Sequence, residues 1–191
     1  MNTGDTSVQA ILLAAETCLE KYGIEKTTMN DVATQAQISR QTLYRRFPRR
    51  ADLLEAISRN KLDQLNLVIA KRISRVEEPV DKIVETIVTS VFTVLEDPVS
   101  RELMHDDARM AMERISTKEY KRIVSGRWGP VIDQARELGY LRESISDQQL
   151  IDWFSMLQVA FVSWVEVRDM TKNQLRTFVR NLALSGVLKR E

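Results

Sequence analysis

Cysteine and histidine are almost missing from this 191-residue chain, with Cys18 and His105 the sole examples. One thiol excludes an intrachain disulfide framework and a cysteine-based zinc cluster, and one imidazole excludes a histidine-rich metal site. Neither a metal nor a cofactor is expected. Six glycines and four prolines are too few for the frequent turns of a many-stranded β fold. No uncharged apolar run reaches the roughly 18 residues of a membrane span. Residues 1–7 are short, polar and acidic, without the basic start and apolar core of a signal peptide. The expectation is a cytoplasmic protein with no membrane partner. No acid/base pair, nucleophile motif or phosphate loop stands at a recognisable spacing, so it is not expected to be an enzyme.

The charge is nearly balanced, +1 over the chain, but unevenly placed. Residues 38–61 hold seven basic side chains against Asp52 and Glu55, and the remainder is net acidic. A nearly neutral protein with one basic segment can bind nucleic acid locally.

Helical periodicity dominates. Val8, Ile11, Leu12, Ala15, Leu19 and Tyr22 share one face of a first helix that Gly23 ends. Thr27 or Thr28 caps a second helix carrying Met29, Val32, Ala33 and Ala36. Ser39 caps a short third helix with Leu43 and Phe47, stopped by Pro48. A fourth runs from near Arg49 into the 70s. Pro79 and Pro98 bracket a fifth; a shorter helix follows. A longer one spans about 117–138, kinked near Gly126 and Gly129–Pro130 and closed by Gly139. Asp147 opens a strongly apolar helix to about Val167, and Thr171 opens the last, to about Leu188. The pattern predicts an all-α fold of about nine helices. A three-helix helix-turn-helix domain occupies residues 1–50. A second helical domain occupies 51–191, and the helix from about 49 to 75 connects the two.

The chemistry concentrates in the third helix. At 100° per residue, Leu43 and Phe47 define its buried face, and Gln41 and Arg45 point directly away. Tyr44 and Thr42 lie on the flanks, and Arg40 sits in the first turn. An ordinary surface helix places acids in its first turn to suit the dipole; residues 38–50 contain five arginines and no acid. The outward face can enter a major groove while the flanks meet phosphates.

Three segments carry a family resemblance: Thr28-Met29-Asn30-Asp31-Val32-Ala33, Ile38-Ser39-Arg40-Gln41-Thr42-Leu43-Tyr44-Arg45-Arg46-Phe47-Pro48, and Ala51-Asp52-Leu53-Leu54. Over about residues 8–57 the chain resembles the DNA-binding domain of the tetracycline-repressor (TetR) family. The resemblance implies that Thr28 and Thr42 bind phosphate, that Asn30 lies near the groove edge, and that Arg40, Gln41 and Tyr44 contact bases. It implies a phosphate contact for Arg46, where the family often has His, and for Arg50, where it has Lys. Arg45 is added from the helical projection. Two positions depart from the pattern. Gln37 stands where the turn usually has Gly, which raises the prospect of a positive φ. Gln41 stands where a small residue or Pro is usual, and its amide can make a bidentate contact to adenine.

The resemblance implies a homodimeric repressor of a palindromic operator in double-stranded DNA, released when a small-molecule effector swings the fourth helix. A ligand-blind DNA-binding regulator and a helical small-molecule-binding protein are the alternatives. Cys18 reads as a small buried hydrophobe. Met104, His105, Trp128, Phe154 and Gln158 are the candidate ligand contacts. With no concentrated charge in the C-terminal half, the effector is expected to be apolar or aromatic. Trp153, Leu157, Trp164, Leu175, Phe178 and Leu182 are the candidate dimer interface, because the apolar arc on the helix from Asp147 exceeds one packed face.

Overall fold

In the computed structural model, which describes residues 7–105 and 117–189, nine α-helices are found among the described residues. They are α1 Val8–Tyr22, α2 Met29–Gln35, α3 Arg40–Arg46, α4 Arg50–Ile73, α5 Pro79–Glu96, α6 Pro98–His105, α7 Lys118–Glu137, α8 Asp147–Arg168 and α9 Lys172–Phe178. The sole pairing of β type among them is an isolated bridge between Leu141 and Leu188. The all-α expectation holds. Most helix starts follow side-chain chemistry legible in the sequence. Ser7, Thr28, Ser39, Thr117, Ser146 and Thr171 each accept a backbone N–H with the side-chain hydroxyl, satisfying donors a helix start leaves orphaned. Thr28, Ser146 and Thr171 add the reciprocal bond of a capping box.

The chain divides into two compact units. One comprises Met1–Leu62 with Pro98–Leu103, the other Asp63–Asp97 with Met104–Glu191. Nothing in the sequence pattern assigned Pro98–Leu103 to the first unit. Its core is built from Ile11, Leu12, Ala15 and Leu19 of α1, Met29, Val32 and Ala33 of α2, Leu43 and Phe47 around α3, Leu53 and Ile57 of α4, and Val99 and Leu103 of α6. The first-helix face is shorter than expected: Val8 and Tyr22, at its two ends, are exposed. Cys18 is buried in this core, and burial followed by the nearby Asp31 charge pushes its thiol above the ordinary range. A thiol so placed is a poor nucleophile. The turn after α1 closes on α6: the Glu102 carboxylate accepts the Ile24 N–H at 2.6 Å. Gly23, at φ 80°, lies so close that a Cβ there would meet Glu102 Oε1 at 3.1 Å.

Gln37 joins α2 to α3 at φ 55°. The left-handed region costs a residue with a Cβ roughly 1–2 kcal/mol. Gln37→Gly is therefore expected to stabilise the first unit by about 1 kcal/mol, measured as a higher urea midpoint with unchanged m. An unchanged or lower midpoint would show that the glutamine side chain offsets the strain.

The second unit packs α5, α7, α8 and α9 around Ile83, Val84, Ile87, Val91, Val124, Trp128, Ile132, Leu150, Phe154 and Leu175. Pro130 lies inside α7, which remains one helix. The last helix is not α to its end: after Phe178 it widens into a π segment, Val179–Ala183. α8 is long and apolar enough to cross a membrane by length and composition, yet half of that stretch is buried in the chain itself. Glu85, buried in this unit, takes two guanidinium partners. Arg72 Nε lies 3.0 Å from Oε2, and Arg176 bonds Oε1. Burial pushes its carboxyl up, but Arg176 and Arg72 outweigh that and hold it below the usual range.

Candidate nucleic-acid interface

α3 is held from beneath. Leu43 is fully buried and Phe47, its C-terminal cap, nearly so. Ser39 caps the start by accepting the Thr42 N–H at 3.1 Å, and the two hydroxyls lie 2.9 Å apart. With the inward positions anchored, Arg40, Gln41, Tyr44, Arg45 and Arg46 are all exposed, and Thr42 is half-buried. The helix therefore presents three arginines, an amide and a phenol on its outward side. Thr28 begins α2 with an exposed hydroxyl already engaged: it bonds Asp31 Oδ2 at 2.6 Å and accepts the Asp31 N–H at 3.2 Å. Those bonds from Thr28 hold the Asp31 carboxyl below its usual range. Asn30 is exposed on the next position.

Arg50 is engaged within the chain. Its Nε donates to the Thr27 carbonyl at 3.3 Å and its Nη2 to the Ile24 carbonyl. The guanidinium thus ties the start of α4 to the loop between α1 and α2. Two net hydrogen bonds contribute roughly 1–3 kcal/mol. Arg50→Ala is therefore expected to lower the thermal midpoint and to flatten the log K against log salt slope by less than the ~0.9 of a full phosphate contact per subunit. An unchanged midpoint with the full slope loss would restore the phosphate role.

In the second unit, Trp128 and Phe154 are fully buried with ring centroids 4.6 Å apart, and Gln158 is buried beside Ser90, to which its Nε2 donates at 2.8 Å. Met104 is partly buried against the same core. The His105 side chain and residues 106–116 lie outside the described residues. Arg127, which the sequence pattern does not single out, is buried there and bonds both Asn66 and Gln158.

The expected interface residues separate. Leu175 is 0% exposed and Leu157 8%, so both belong to the chain's own core and not to an open face. Trp164 and Phe178 are half-buried and pack against each other within the chain, ring centroids 4.6 Å apart and tilted by 59°. Trp153, Met156, Ala160, Ser163 and Val167 instead form the outward stripe of α8, and Leu182 is open on the π segment. A helix whose apolar arc covers more than one face hides this choice from a helical projection. A shallow groove lined by Met170, Asn173, Gln174, Thr177, Phe178, Asn181 and Leu182 lies along the last helix.

A short basic helix set on a two-helix support, with its polar side outward, is the arrangement of a helix-turn-helix motif. Residues 11–57 match the family model for bacterial regulatory proteins of the tetR family. Uncharacterized HTH-type transcriptional regulators of Mycobacterium tuberculosis and Mycobacterium bovis are 45% identical over 38 residues, 20% of this chain and 20% of theirs. The match thus spans about a fifth of the curated relatives' length. Solved structures agree over nearly the whole chain. RolR in complex with resorcinol superposes with a TM-score of 0.69 at 16% identity, covering 94% of this chain and 86% of that one. A putative TetR-family regulator from Rhodococcus sp. gives 0.68 at 19%, covering 94% and 97%. The ketosteroid regulator KstR2 of M. tuberculosis gives 0.58 at 19%, covering 100% and 97%. Residues 11–57 are thus similar to the tetR family's regulatory proteins, and over its length the chain has the fold of these solved regulators.

Proposed function

We propose that this protein is a ligand-responsive, DNA-binding transcriptional regulator of the cytoplasm, acting as a homodimeric repressor on a palindromic operator. The carrying observation is α3, where a buried Leu43–Phe47 base leaves Arg40, Gln41, Tyr44 and Arg45 facing outward. In this reading Arg40, Gln41 and Tyr44 reach base edges, while Thr28, Thr42, Asn30 and Arg46 meet the backbone at the helix starts and flanks. Residues 1–50 supply DNA binding and 51–191 supply dimerisation and effector binding. The exposed stripe Trp153–Met156–Ala160–Val167, with Leu182, supports a two-fold contact, since a C2 interface needs a single self-complementary apolar patch. An effector that favours the state unable to bind DNA releases the operator by shifting the population. The Trp128–Phe154 pair suits a small ligand with an aromatic or apolar body, the kind RolR holds as resorcinol. Fluorescence anisotropy against fragments upstream of its own and adjacent genes tests the reading. Saturable, salt-dependent binding to one palindromic fragment far tighter than to scrambled DNA is expected; equal binding to all fragments would overturn it.

A further inference from the structure

Among the described residues, the second unit holds a buried cation with no carboxylate bonded to it. Arg127 on α7 is 8% exposed. Its Nε donates to Asn66 Oδ1 at 2.6 Å and its Nη1 to Gln158 Oε1 at 3.3 Å, both neutral amides. Gln158 in turn donates to Ser90 Oγ, which donates to the Thr86 carbonyl at 2.6 Å. That chain of bonds fixes the Gln158 amide with its oxygen toward the guanidinium. Nη2 is buried and finds no acceptor among the described residues, and neither does the indole N–H of the adjacent Trp128. Glu85 in the same unit, by contrast, is matched by two arginines.

Burial of an ion with no opposite charge beside it is costly, and arginine does not escape by losing its proton. Both orphan groups are donors, so what is missing is an acceptor, and the charge calls for a negative one. A planar carboxylate is the acceptor that matches a guanidinium fork. We infer that Arg127 is the anchor for an effector carrying a carboxylate on an apolar or aromatic body. Asn66 and Gln158 hold the guanidinium in place, and Trp128 and Phe154 face the body. The inference rests on the regulator reading above and narrows the effector class. The groove along the last helix does not include Arg127.

The test uses thermal unfolding and calorimetric titration of the full-length protein with benzoate, phenylacetate, cinnamate, hexanoate and decanoate. Each is paired with its neutral amide. At least one carboxylate is expected to raise the wild-type midpoint and its amide not to. Arg127→Met should weaken that carboxylate by about thirtyfold or more, the loss that follows removal of one partner from a desolvated charge pair. Arg127→Lys, which keeps the charge but not the fork, should weaken it by roughly tenfold and decides the matter if the methionine variant does not fold. A wild type indifferent to every carboxylate, equal binding of acids and amides, or a lysine variant with full affinity would each overturn the inference. Operator binding without ligand, measured alongside, separates the two readings. Intact DNA binding with no carboxylate response refutes the anchor alone; lost DNA binding by the wild type refutes the regulator.

Discussion

Gln41→Ala is expected to relax base preference at one position in each half-site while leaving the salt dependence of binding unchanged. The side chain is exposed in the first turn of α3, directly opposite the buried Leu43–Phe47 side. A primary amide there offers a donor and an acceptor side by side, the pattern that pairs with adenine N7 and N6. A bidentate contact of this kind supplies roughly 1–3 kcal/mol of discrimination, and a palindrome uses it twice. The matched operator should therefore lose on the order of a hundredfold in affinity or more, and scrambled DNA almost nothing. No cation is removed, so the number of counterions released, and with it the slope of log K against log salt, stays the same. Arg45→Ala gives the opposite signature if its guanidinium rides on phosphates: a flatter slope at equal base preference. Anisotropy titrations with matched, singly mutated and scrambled duplexes over a salt series distinguish the two. Equal weakening of Gln41→Ala on matched and scrambled DNA would place the amide outside the groove.

The recognition helix was legible in the sequence because its signals are local. Ser39, Leu43, Phe47 and Pro48 set cap, base and stop within ten residues, and the turn before it announced its strain through Gln37, found at φ 55°. What stayed hidden depends on distant partners. The resemblance implies a phosphate contact for Arg50, but no local signal shows that its guanidinium bonds the carbonyls of Ile24 and Thr27, over twenty residues back. Val99 and Leu103 join the core of the first unit from a short helix that no period ties to it. Arg127 is one basic residue among many in α7, and its burial shows only once Asn66 and Gln158 are brought beside it. The π widening at Val179–Ala183 has no compositional mark at all.

Ala160→Glu is expected to split the dimer and with it abolish tight operator binding. Ala160 sits in the middle of the outward stripe of α8, with Trp153 and Met156 on one side and Val167 on the other, the last 83% exposed. Such large apolar groups in one row are costly to leave in water, and a stable two-fold contact of roughly 1,600 Å² is built on a stripe of this kind. By the symmetry axis each stripe meets its own copy, so one substitution places two carboxylates against each other in a desolvated setting, and like charges so placed disfavour association by several kcal/mol. Glutamate is a good helix former and the position is open in the single chain, so the fold of the protomer is spared. The expected result is a monomer at micromolar concentration in sedimentation, with an unchanged helical spectrum. Operator affinity should fall by about two orders of magnitude or more, because the second half-site is no longer tethered to the first. Leu157→Ala is the control. That side chain is buried in the chain's own core, so its loss should cost about 2–5 kcal/mol of stability and leave the folded protein dimeric. A dimeric Ala160→Glu protein beside a monomeric Leu157→Ala protein would move the interface back to the inner stripe of α8.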